Sequence, residues 1–111
     1  MIPLTTLEQY ANTLLKAASI ADYAPNGVQV RGRGEVNRLV TGVSACLELF
    51  QAASAWEADL ILVHHGMFWE KESRVVEGSL KRRLQWLLTR DITLMAYHLP
   101  LDCHPQLGNN I

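Results

Sequence analysis

Cysteine is scarce in this chain. Cys46 and Cys103 are the only two among 111 residues, too few for the disulfide framework that replaces a core in small secreted domains. Long apolar runs are missing as well, and a stretch such as Leu60 to Val63 is far too short to span a bilayer. The N-terminus has no charged segment followed by an apolar one, so it does not read as a secretory signal. Neither sign of charge dominates: 10 Lys and Arg against 11 Asp and Glu leave a net charge of -1, which favours neither nucleic acid nor an anionic membrane. The nearest approach to a basic cluster, Lys81-Arg82-Arg83, reads as a solvated helix face. A phosphate loop is also lacking, because Arg31-Gly32-Arg33-Gly34 has neither the lysine nor the hydroxyl of a P-loop and leads into a strand. With no serine in a nucleophile elbow, hydrolytic chemistry would have to come from metal-bound water. The expectation is a reduced, cytoplasmic protein.

What is present suits one small globular domain over residues 1–111: 49% hydrophobic and 19% charged residues, enough for a real core. Thr5-Thr6-Leu7-Glu8 has the form of a capping box, with Thr5 at the N-cap. Behind it Leu7, Tyr10, Ala11, Leu14 and Leu15 trace one apolar helix stripe ending near Ala18. Pro25-Asn26-Gly27 supplies turn chemistry before a short strand, Val28 to Val30. A second strand runs to Val43 from about Val36 or Leu39, and a helix follows over Leu47 to Trp56. Asp59 to Val63 is continuously apolar after its first residue, the mark of a strand covered on both faces. A loop from Gly66 to Gly78 precedes a helix capped by Ser79 and carrying Leu80, Leu84, Leu87 and Leu88. Thr93 to Tyr97 forms the last strand, Leu99 onward is expected to be irregular, and Gly108-Asn109-Asn110 to open a further helix. Alternating strands and helices predict an α/β fold, with helices packed on a mostly parallel or mixed sheet, as the N-terminal part of a larger fold.

In open α/β sheets ligands gather at the carboxyl ends of the parallel strands. Two strands end here in His64-His65 and in Tyr97-His98, and Leu99-Pro100-Leu101 then delivers Asp102. Imidazole nitrogen and carboxylate oxygen together suit zinc, manganese, iron and similar divalent ions. Adjacent residues on a regular strand face opposite ways. His64 and His65 therefore share one ion only if the backbone leaves the extended form, which Gly66 makes cheap; otherwise each binds its own member of an ion pair that Asp102 can bridge. His98 is a candidate proton shuttle or a residue that orients a ligand. His104 reads as a surface histidine, Cys103 as partly buried and Cys46 as a packing residue. Phe68 and Trp69 suit either wall packing or stacking on a base or pterin ring.

Several segments resemble the GTP cyclohydrolase 1 type 2 homologues, the NGG-interacting-factor-3-like dinuclear metal-centre family. They are Tyr23 to Val30, Val40-Thr41-Gly42-Val43, Ala58 to Gly66 with its His-His-Gly, and His98-Leu99-Pro100-Leu101-Asp102 through Asn110. The resemblance implies a fold holding two divalent metal ions, with His64, His65 and Asp102 matching the N-terminal ligands. It implies further ligands, a histidine and a glutamate, from a C-terminal half that this sequence does not contain. It implies a toroidal homo-hexamer and a small-molecule nucleotide substrate, the suggested activity being opening of the GTP imidazole ring with release of formate. Many members carry Asp-x-Thr after the second strand, where this sequence has Ser44-Ala45-Cys46. Three function classes follow: a metal-dependent hydrolase, a non-catalytic metal-binding scaffold or regulator, and a truncated product with a vestigial site.

Overall fold

The computed structural model describes residues 1–69 and 72–108. In chain order the elements are β1 Ile2–Pro3, α1 Leu4–Leu14, a 3-10 turn Ala17–Ser19, β2 Gly27–Val30, β3 Glu35–Val36 and β4 Leu39–Thr41, then α2 Leu47–Ala55, β5 Leu60–Val63, α3 Gly78–Thr89, β6 Thr93–Ala96 and α4 Leu99–Asp102. Four strands make one mixed sheet in the order β2-β6-β5-β4. β4, β5 and β6 run parallel, and β2 joins the β6 edge antiparallel. β1 and β3 form a separate antiparallel pair of two residues each, too short to leave any periodic trace in the sequence.

Strand alternation divides the apolar residues between two layers. Ile61, Val63, Leu94, Ala96 and Val30 face α2 and α3 and meet Phe50, Ala53 and Leu87. Leu60, Met95 and Tyr97 face the other way, against Leu4 and Leu15 of the α1 segment. The steps β4 to β5 to β6 move in one direction across the sheet, so both crossover helices lie on the same side. Two-sided burial explains why β5 reads as an unbroken apolar run, and it extends to β6, where Thr93 is buried with Leu94, Met95 and Ala96.

Several local expectations give way to tertiary contacts. Thr5 does not cap α1: Pro3 occupies the N-cap position without a side-chain bond, and burial of Leu4, whose N–H reaches the Gly34 carbonyl at 2.8 Å, starts the helix earlier. Glu8 is taken instead by Arg31, 2.9 Å away. The helix stops at Leu14 rather than near Ala18, because Lys16 turns into left-handed backbone at φ 53. Ser79 lies inside α3, whose N-cap is Glu77. The stretch after His98 forms the one-turn helix α4, not irregular chain, and Cys103 beyond it is exposed. His104 is half-buried, its Nδ1 accepting the N–H groups of Gln106 and Leu107. Asn109 and Asn110, to which the sequence assigns the start of a further helix, lie outside the described residues, as do positions 70 and 71 of the loop before α3.

α3 supplies a sharp test of this layering. Leu87 is 0% exposed and Leu88 58% exposed, although the sequence pattern puts both in one apolar stripe. Leu87→Ala is expected to cost about 2–5 kcal/mol in urea unfolding, whereas Leu88→Ala should cost roughly 0.5 kcal/mol or less. Equal losses for the two would contradict the packing.

Candidate metal centre

The carboxyl ends of β5 and β6 lie side by side because the two strands pair parallel from Leu60 with Thr93 to Val63 with Ala96. The residues that follow, His64-His65 and Tyr97-His98, therefore leave the sheet at the same level. A straight strand would still separate the two adjacent imidazoles. Here the amides of both His64 and His65 converge on the Val43 carbonyl, at 3.1 and 2.7 Å, which consecutive amides of an extended strand cannot do. The backbone has turned, and the two rings stand 4.6 Å apart between centroids. Gly66 serves a different need from the one expected. Its φ is not in the left-handed region, but a Cβ there would collide with Gln29 Oε1 and fall 2.6 Å from the Ala96 side chain.

His64 is held in one tautomer. Its Nδ1–H donates to the Tyr97 carbonyl at 2.8 Å, since a carbonyl can only accept, so in the neutral ring the lone pair lies on Nε2. His98 is held in the same way by a residue 76 positions earlier. Its Nδ1 lies 3.2 Å from Asp22 Oδ1, and the Asp22 side chain is only 2% exposed. Burial alone would raise the Asp22 pKa; the Leu99 N–H, the Asn26 amide and His98 outweigh it and hold the carboxyl below its ordinary value. Asp22 stays ionised and accepts from the Nδ1 side of the ring, leaving His98 Nε2 turned toward the other two imidazoles. Asn26 completes the clasp: its Oδ1 accepts the His98 N–H at 2.7 Å and its Nδ2 donates to Asp22 Oδ2 at 3.1 Å.

α4 then brings back the carboxylate. The Asp102 N–H donates to the His98 carbonyl at 3.2 Å, so His98 and Asp102 stand one helical turn apart. Asp102 Oδ1 comes to 3.5 Å from His64 Nε2. Two donors about 2.1 Å from one tetrahedral ion lie about 3.4 Å apart, so this spacing fits a shared metal. Nitrogen atoms of His64, His65 and His98 all lie within 4.8 Å of one another, close enough for one ion or a neighbouring pair. Burial, and then the proximity of His64 and His98, lower the His65 pKa, with Asp102 pulling the other way. The neutral form that a metal needs is thereby favoured.

The sequence-derived candidates His64, His65, His98 and Asp102 are thus gathered at one edge, and Trp69 stands against His98 with centroids 5.0 Å apart. Phe68 is exposed, and Cys46 is half-buried at the N-cap of α2. Asp22 and Asn26 are not recognisable as site residues from the sequence. Asn26 reads only as turn chemistry, and Asp22 carries no local signal, since the antiparallel entry of β2 is what delivers both to this edge.

Comparison with known proteins gives this geometry its relatives. Residues 2–111 match the family model described as Duf34/NIF3 (NGG1p interacting factor 3). A GTP cyclohydrolase 1 type 2 homolog of Pseudomonas aeruginosa is 54% identical over 110 residues, covering 99% of this chain and 44% of that relative. The counterpart from Yersinia pestis is 56% identical over 104 residues, 94% of this chain and 42% of its own length. Among solved structures, a structural-genomics protein of unknown function, ybgI, superposes with a TM-score of 0.96 at 50% identity, covering 98% of this chain and 44% of that one. TTHA1606 from Thermus thermophilus gives 0.91 at 37% identity, over 97% and 45%. The chain therefore spans less than half the length of these relatives, their N-terminal part. On this match, which runs over nearly every residue, the chain belongs to the Duf34/NIF3 family.

Proposed function

We propose that the chain supplies the metal-binding part of a metal-dependent hydrolase of the GTP cyclohydrolase 1 type 2 type, acting on a purine nucleotide or related ring. The observation that carries this reading is the convergence of three imidazoles with Asp102 on one sheet edge, the rings of His64 and His98 oriented by the Tyr97 carbonyl and by Asp22. The names of the GTP cyclohydrolase 1 type 2 homologs among the chain's relatives support the substrate class. In this reading His64, His65 and Asp102 hold the metal, and two divalent ions (zinc, iron, manganese or similar) complete the site. Such ions polarise the bond to be cleaved and make water acidic enough to attack near neutral pH.

The chain's own residues do the rest. His64 cannot rotate without breaking its bond to Tyr97, so its Nε2 stays aimed at the shared position beside Asp102. His98 can take a proton at Nε2 and return it, and Asp22 stabilises the imidazolium formed in between. A homo-oligomer that closes the site from solvent, with a toroidal hexamer as its expected form, belongs to the same proposal.

Two results test it. His64→Ala should remove most bound metal in elemental analysis, and Asp22→Asn should lower turnover about 10- to 100-fold through the misplaced His98 ring; wild-type metal content in the first and wild-type turnover in the second would break the site. Full-length protein loaded with zinc, iron or manganese should release formate from GTP. Bound metal and a defined oligomer without any formate would favour the scaffold reading over the hydrolase.

A further inference from the structure

The loop that leaves His65 is built more rigidly than a connection requires. Met67 is 1% exposed, its N–H donates to Gln29 Oε1 at 2.7 Å, and Phe68 is held in left-handed backbone at φ 66. A residue with a Cβ adopts that conformation at a cost, so surrounding contacts must hold it there. The consequence is the placement of Trp69, which turns back toward the three-histidine cluster, 5.0 Å from His98 and 6.1 Å from His65 between ring centroids.

Tyr23 approaches the same place from the other side. Its ring lies 5.3 Å from His98 and 5.7 Å from Trp69, inclined 34° to the indole. Gln29 sets this spacing. Its Oε1 holds the Trp69 loop through Met67, while its Nε2 donates to the Pro25 carbonyl at 2.8 Å in the loop that carries Tyr23. One side chain on β2 therefore ties both aromatic loops together. The tie does not serve core burial, because Tyr23 remains 53% exposed. The exposed Tyr23 and the half-buried Trp69 thus form an aromatic pair, fixed by a strut and standing against a candidate metal cluster, on which a substrate's ring could stack.

The geometry points to Tyr23 and Trp69 as a stacking wall that selects a planar heteroaromatic ring and presents it to the His64-His65-His98 cluster. The metal chemistry by itself gives neither residue such a role. The inference rests on the hydrolase reading for the claim that this ring is the substrate's. Its specificity differs from that of a phosphate site: the wall has no charge and reads the ring rather than the sugar or phosphate.

Calorimetric titration of the metal-loaded full chain with guanosine 5′-monophosphate and with ribose 5-phosphate tests the wall. The nucleotide should bind at least about tenfold more tightly than the sugar phosphate. Trp69→Ala and Tyr23→Ala should each weaken nucleotide binding about tenfold with metal content unchanged, and Trp69→Phe should restore most of it. Gln29→Ala should weaken it too, with both rings still present. Absence of nucleotide binding, equal affinity for the ribose phosphate, or wild-type affinity in Trp69→Ala would overturn the inference. Formate release from GTP is followed separately: ring binding that depends on Trp69 without formate supports the wall while counting against hydrolysis.

Discussion

The parallel pairing of β5 with β6, from Leu60 with Thr93 to Val63 with Ala96, puts two strand ends at one level, and the chemistry of the edge hangs on that alignment. A slip by one residue would exchange the two faces of a strand, sending Ile61 and Val63 away from Phe50 and Leu87. The same slip would carry His64 away from the Tyr97 carbonyl that fixes its tautomer. Burial of apolar side chains on both faces thus sets the register, and the register sets the imidazoles. Stability and site geometry are consequences of one arrangement.

A second layer of control comes from β2, which enters antiparallel and so begins where the parallel strands end. That orientation carries Asp22 and Asn26 to His98, and Gln29 to the loop after His65. A buried carboxylate costs free energy unless its oxygens find donors. Asp22 finds three, the Leu99 N–H, the Asn26 amide and the His98 ring, and in doing so fixes the direction of that ring. The loop before β2 is therefore part of the site rather than a connection.

Much of the architecture is legible in the sequence because it rests on periodicity. The apolar runs at β5 and β6 and the stripes of α2 and α3 announce themselves, and with them the strand-end placement of His64, His65 and His98. Short-range capping rules fare worse. Thr5 and Ser79 have the right chemistry for helix starts, yet burial of Leu4 and the extended backbone at Glu77 put the starts elsewhere. The one-turn helix α4 is also invisible, since four residues around Pro100 carry no period. It matters nonetheless, because it turns Asp102 back toward His64.

By itself the amino-acid sequence determined which donor types this protein has, their order along the chain, and the fold class that sends them to one edge. Residue type and hydrophobic period are local properties, and they survive in a string of letters. Which lone pairs point inward, how two adjacent histidines come to face one place, and which distant carboxylate orients His98 were decided only by the tertiary structure. Those features depend on partners 33 and 76 positions away in the chain, brought together by strand register and by the antiparallel entry of β2.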